Sequence, residues 1–169
     1  VEGLIIDETR PTILKTRYLS QNQQLLRVDH ENSKATNQHT HNRVFDYAAK
    51  LMGDVNVLIL SYYGKGVLTP DLVKRLIKVA KKNKVSIVVD PKGKDFSLYK
   101  GATIVTPNKK ELSEAVGNLP VSSNEEVEQA AQILIKKCGI ENVVATRSED
   151  GISVLSINAL PIDLRTRAV

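Results

Sequence analysis

Polar and apolar positions alternate near the start of the chain and then change rhythm. Positions 12–19 are rich in β-forming residues, Gln21 and Asn22 suit a turn, and 23–29 alternates around Leu26 and Val28, a pattern that predicts a hairpin. Positions 30–41 are polar and predict a loop or linker. From position 42, Val44, Tyr47, Ala48 and Leu51 recur at helical spacing. A short apolar run at 57–60 predicts a strand. Thr69 is then an N-cap with proline at the first helical position, and Leu72, Leu76, Val79 and Ala80 form an apolar helix face. Strands follow at 85–89, ending at Asp90-Pro91, and at 102–106, ending at Pro107-Asn108. Asn108 with Glu111, and Ser123 with Glu126, have the spacing of a capping box, and Gly117 and Gly139 stop the two helices. A fourth strand is predicted at 142–146, a turn at 147–151 and a fifth strand at 152–157.

Strand, helix, strand in this order calls for right-handed crossovers and parallel strands. Short, continuously apolar strands suit a sheet covered on both faces. The expectation is an α/β fold: a mainly parallel sheet over 42–157 with helices on both faces, and a small hairpin standing apart as a flap. The length of 169 residues fits one domain.

Composition narrows the chemistry. With five Tyr, two Phe and no Trp, the core must be aliphatic. The single cysteine, Cys138, excludes an internal disulfide; it falls in phase with Ala131, Leu134 and Ile135, which predicts a buried helix residue. A net charge of +5 favours anionic partners. No basic stretch is interleaved with aromatics, so no nucleic-acid partner is expected, and the lysines between Lys74 and Lys84 suit the wet face of a helix. No apolar run reaches membrane-spanning length and there is no signal-peptide pattern, so no membrane partner and a cytoplasmic location are expected. His39 and His41 lack Cys or acidic neighbours at ligand spacing, which argues against a metal there. The chain begins at Val1 rather than Met and ends at Arg167-Ala168-Val169, so both ends look cut.

In an open parallel sheet, ligands bind beyond the carboxyl ends of the strands. Those ends here carry Ser61, Tyr62, Tyr63, Gly64 and Lys65; Asp90, Pro91 and Lys92; Asn108, Lys109, Lys110 and Glu111; and Thr146 and Arg147. Four strands deliver polar or cationic groups to one edge, which suits a phosphate. Glu111 could hold a metal ion or its water. Neither common phosphate loop is present: Gly64-Lys65-Gly66 lacks the upstream Gly and the following Ser or Thr of a P-loop, and no G-x-G-x-x-G occurs. Asn108 with Glu111 also suits a plain capping pair, and Lys92 a plain turn lysine.

The run Thr-Pro-Asn-Lys-Lys-Glu-Leu-Ser at 106–113 resembles the Asn-x-x-Glu motif of the ribokinase-like carbohydrate kinases. Positions 90–96, 99–103, 60–68 and 19–29 narrow the resemblance to the kinases that phosphorylate D-glycero-D-manno-heptose 7-phosphate at O1, toward ADP-heptose and lipopolysaccharide core. It covers 11–167. The resemblance implies a ribokinase-like fold with a β lid, ATP and Mg2+ as cofactors, and a phosphosugar substrate. It implies a partial kinase domain over 1–169, with 1–29 as lid and 42–169 as the nucleotide-binding α/β part. Asn108 and Glu111 would organise the metal and the ATP phosphates, with Lys109 beside them. Lys110 would stabilise the transferring phosphate, and Thr146, Arg147 and Gly151 would line the nucleotide. Arg17, Asn22 and Arg27 in the lid, with Lys65, Asp90 and Lys92, would face substrate, and the lid would pair with a second copy to form a homodimer. Tyr62 stands where the family usually has Asp. The family's Gly-Ala-Gly-Asp, with its catalytic base, is expected after residue 169, and its sugar-binding Gly-Asp segment before residue 1. The alternatives are another ribokinase-like kinase acting on a phosphosugar or nucleoside, and a non-catalytic nucleotide-binding module.

Overall fold

The computed structural model describes residues 3–166. Strands β1 (Leu14–Ser20) and β2 (Gln23–His30) pair antiparallel and form a two-stranded sheet of their own. The residues between them, Gln21 and Asn22, have φ of 46° and 69°. A two-residue turn of this hand matches the natural twist of the strands, and Asn tolerates it better than most residues.

The main sheet holds β3 (Val57–Ser61), β4 (Ser86–Asp90), β5 (Ile104–Val105), β6 (Asn142–Thr146), β7 (Ile152–Ser156) and β8 (Ile162–Leu164), side by side in sequence order. β3 to β6 are parallel, while β7 and β8 run antiparallel to their neighbours. Among the described residues the α-helices are α1 (Gln38–Leu51), α2 (Pro70–Lys82), α3 (Lys109–Ala115) and α4 (Asn124–Cys138). α2 links β3 to β4, and α3 with α4 links β5 to β6. The β6–β7 connection is too short for a crossover, so it makes a hairpin. β8 was not expected; three residues are too few to show an alternation.

Local signals explain most boundaries. Thr69 accepts a hydrogen bond from the Leu72 amide at 3.4 Å, with Pro70 as the first helical residue. Ser123 and Glu126 form a reciprocal capping box, and Gly139 closes α4 in the left-handed region. α1 begins four residues before the periodic signal, because Asn37 accepts from the Thr40 amide at 2.8 Å and the first turn is polar. His41 therefore lies in a helix, buried, and not in a loop.

The register sorts the sheet into two unlike faces. Leu60, Ile87, Val89, Val105, Val143, Ala145 and Leu155 share one face and are buried. Against them pack Leu72, Val73, Leu76 and Ile77 of α2 and Val127, Ala131, Leu134 and Ile135 of α4. Val57, Ile59, Val88, Ile104, Val144, Ile152 and Val154 share the other face, and none is buried; Ile59 is 69% exposed. Among the described residues the helices thus cover one face, where cover on both was expected. A continuously apolar strand does not say which of its faces has a partner.

Neighbouring strands supply the contrast that checks this. In urea unfolding of this chain, Ile87→Ala should cost about 2–5 kcal/mol, and Ile59→Ala less than about 1 kcal/mol. Equal losses would mean that both faces are packed.

Candidate active site

Main-chain hydrogen bonds lace the carboxyl ends of the parallel strands together. The Tyr62 amide donates to the Asp90 carbonyl at 3.0 Å, Thr106 to Val89 at 2.9 Å and Thr146 to Pro107 at 2.9 Å. This fixes the points at which Lys92, Asn108 and Thr146 leave the sheet. The Lys92 ammonium donates to Glu111 Oε1 at 2.6 Å. Glu111 Oε2 accepts from the Asn108 amide at 3.0 Å, and Asn108 Oδ1 accepts from the Glu111 amide at 2.9 Å. Glu111 is 8% exposed and Lys92 is exposed. The hydrogen bond to Glu111 holds the Lys92 pKa above its ordinary range.

Tyr99 supports Lys92 from below. It is fully buried; its hydroxyl donates to the Lys92 carbonyl at 3.1 Å and accepts from the Lys92 amide at 3.2 Å. Burial pushes its phenol up to about 12. Tyr62 meets Tyr99 edge-on with ring centroids 5.9 Å apart, which gives this departure from the family pattern a packing role. Tyr99 was missed in the sequence; an aromatic in so aromatic-poor a chain was the available signal.

The other expected nucleotide residues take different places. Lys109 is ion-paired with Asp150, across from the 147–151 turn, and this holds the Asp150 carboxyl below its usual range. The Lys110 side chain is 84% exposed, 3.9 Å from Glu114, and takes no part in the Asn108–Glu111 contact. Thr146 is exposed at the end of β6 and bridges to Asn108. Gly151 has φ of 92°, and a Cβ there would stand 1.9 Å from the Leu164 carbonyl. Only glycine fits that approach, whatever else the turn does. Arg147 was expected along the nucleotide, yet it is 4% exposed, with its guanidinium under the turn. It donates to Asn124 at 2.7 Å and Ser153 at 3.0 Å and lies 3.5 Å from Asp163.

The hairpin stands over the end of β3. Arg17 and Arg27 sit directly opposite each other on its polar face, beside the Lys15–Asp29 pair. Arg27 also pairs with Asp29 at 3.0 Å. Asn22 forms the turn at the far tip. Just beyond β2, Glu31 takes the ammoniums of Lys15, at 2.8 Å, and of Lys65. Arg10 donates to the carbonyls of Lys34, Lys65 and Asn32, pinning the base of the hairpin. Between hairpin and sheet lies a cavity of about 580 Å³, lined among others by Lys15, Glu31, Ser61, Tyr63 and Lys65. Asp90 is half-buried and makes no ion pair among the described residues. Glu31 and Arg10 were missed because their partners lie 16 or more residues away in the sequence.

The arrangement is that of a ribokinase-like α/β fold. It superposes on phosphofructokinase-2 of Escherichia coli in complex with fructose-6-phosphate with a TM-score of 0.71, over 93% of this chain and 51% of that one, at 20% identity. For ribokinase of Arabidopsis thaliana complexed with ribose and ATP, the TM-score is 0.62 over 71% and 38% of the two chains, at 21% identity. The chain belongs to the pfkB family of carbohydrate kinases, whose model matches residues 1–162. It is 40% identical over 166 residues to the bifunctional protein HldE of Paramagnetospirillum magneticum, covering 96% of this chain and 34% of that protein. Its identity to the HldE of Pelobacter propionicus is 36% over 167 residues, 99% of this chain and 34% of that protein. The chain spans about a third of the length of these relatives. Among the described residues, no helix is long and apolar enough to cross a membrane.

The hydrogen bonds from Lys15 and Lys65 bring the Glu31 carboxyl down from 4.5 to about 2. Its pKa is lowered on folding, so the tether is complete above pH 4.5 and is lost as pH falls through about 2. Amide exchange in β1 and β2, corrected for the intrinsic rate, should accelerate across that window, and Glu31→Gln should show the faster exchange already at neutral pH. Equal protection in the two proteins would mean that the hairpin is held by something else.

Proposed function

We propose that this chain forms the lid and the nucleotide-binding part of an ATP-dependent kinase that transfers the γ-phosphate to O1 of D-glycero-D-manno-heptose 7-phosphate, toward ADP-heptose and lipopolysaccharide core. The carrying observation is the Arg17–Arg27 pair, set face to face on a hairpin whose Lys15, on the same face, joins Glu31 and Lys65 in lining an otherwise largely apolar cavity. Like charges directly opposite on a sheet are destabilising, and a phosphate between them removes the conflict. Lys65, Asp90 and Lys92 lie at the strand ends on the same edge and serve as contacts for the sugar and its phosphate. Similarity to the HldE proteins along nearly the whole chain supports the same reading.

The donor set fits magnesium held jointly with a nucleotide. No group of three or more His, Cys, Asp or Glu among the described residues could hold a metal. Magnesium characteristically takes one or two carboxylates and completes its shell with water and substrate phosphates. Glu111 supplies the carboxylate, with Asn108 beside it. The bound metal–nucleotide supplies the phosphoryl group and neutralises part of its charge. Lys109 and Lys110 add positive charge, Lys110 stabilises the moving phosphoryl group, and Thr146, Arg147 and Gly151 shape the nucleotide side. Phosphoryl transfer rests on positioning and electrostatics, so these groups act by where they hold charge.

The general base belongs outside residues 1–169 in this proposal. Glu31, Glu111, Asp29 and Asp150 are ion-paired, and Asp90 is followed directly by Pro91 and Lys92. The hairpin's outer face shows Leu14, Tyr18, Leu26 and Val28, all exposed, which supports pairing of the lid with a second copy. The cytoplasm is the proposed location.

Two measurements decide between kinase and bystander. In the full-length protein, Lys110→Ala should lower kcat more than nucleotide affinity, and Glu111→Ala should shift the magnesium dependence of turnover. Unchanged kinetics in both variants would return Asn108 and Glu111 to helix capping alone.

Purified alone, residues 1–169 should release no ADP above background with heptose 7-phosphate. Loss of a general base costs about 10²–10⁴ in rate, and loss of an anion-hole donor a further factor of about 10²–10³. Turnover within about tenfold of the full-length protein would place the base inside this chain, since base assistance alone exceeds that factor. A full-length protein that binds nucleotide and transfers no phosphate would be a binding module.

A further inference from the structure

Arg147 is a charged side chain almost wholly removed from water, and its surroundings form a closed polar cluster. Its Nη1 donates to Asn124 Oδ1 at 2.7 Å and to Ser153 Oγ at 3.0 Å, and stands 3.5 Å from Asp163 Oδ1. Asn124 Nδ2 donates to Asp163 Oδ2 at 2.9 Å, and Ser153 Oγ donates to Asp163 Oδ1 at 2.5 Å. The first turn of α4, β7 and β8 therefore meet on one guanidinium. Its Nε is buried with no partner among the described residues. A side chain this committed cannot also reach a ligand above the turn without vacating the cluster.

The cluster connects to the end of α3 through the 147–151 turn. The Arg147 amide donates to the Gly151 carbonyl at 2.8 Å and closes the turn, which places Asp150 Oδ2 4.0 Å from Arg147 Nη2. The same Asp150 oxygen takes the ammonium of Lys109, the first residue of α3. A buried cation thus stands beside a surface carboxylate, and that carboxylate holds a lysine beside Asn108.

We propose that Arg147 is a positioning residue, which sets the 147–151 turn and, through Asp150, the Lys109 side chain, and so shapes the phosphate side of the nucleotide subsite without touching the nucleotide. The inference rests on the nucleotide site proposed above.

Asp150→Asn in the full-length protein separates positioning from simple electrostatics, because the two predict opposite signs. The substitution removes a negative charge and frees Lys109, so electrostatics alone makes an anionic ligand bind more tightly. Positioning makes it bind more weakly. Asp150 is 43% exposed, so the variant should fold normally. Titration with a fluorescent ADP analogue should give a Kd raised about tenfold, the scale on which supporting contacts act. KM for the sugar phosphate and the thermal midpoint should be unchanged, and Asp150→Glu should recover part of the affinity. Asp163→Asn should weaken nucleotide binding in the same direction from beneath the turn. Unchanged or tighter binding by Asp150→Asn overturns the inference while leaving the kinase reading intact. Failure of the wild-type protein to bind nucleotide overturns both.

Discussion

The carboxylate of Glu111 joins two parts of the chain that sequence alone leaves 19 residues apart. One oxygen closes the cap of α3 on Asn108 and the other receives the ammonium that follows β4. The carboxylate is almost wholly buried, and both contacts to it are charge-assisted, which strengthens them. The position of α3 relative to the sheet, the direction of Lys92 and the height of Asn108 above β5 all depend on this group. Tyr99 supplies the rigid floor, gripping the Lys92 main chain through both its amide and its carbonyl.

The fold was legible where local chemistry is specific. Thr69-Pro70, Ser123 with Glu126, and Gly139 announce helix ends by themselves, because each satisfies main-chain groups that a helix leaves open. β6 occupies the predicted positions, and the hairpin differs by only a residue or two at its ends. The family was legible too, since Asn108 and Glu111 carry both a helix cap and a motif. The capping pair and the proposed ligand set are the same atoms, so neither reading excludes the other.

What escaped notice depends on distance in sequence. Nothing near Arg147 in the chain says that Asn124 and Asp163 will close over it, and a cation at a strand end therefore looked like a ligand contact. The Glu31 link to Lys65 spans 34 residues and leaves no periodic trace. Burial of one sheet face but not the other is likewise a property of packing, because Ile87 and Ile59 are the same residue type in similar apolar runs. Gly151 shows the converse: its sequence position suggested a ligand, while the near approach of the Leu164 carbonyl already demands a glycine.

The tether of the hairpin has a further consequence. Glu31 and its two lysines lie at the surface, where ionic attraction reaches only about 8 Å at physiological ionic strength. β1 and β2 form a sheet separate from the main one, so the hairpin is attached at its base by these ion pairs and by the Arg10 hydrogen bonds. On the reading proposed above, a phosphate-bearing guest of the cavity would meet the same two lysines that already hold Glu31, so one pair of cations serves both as anchor and as ligand group.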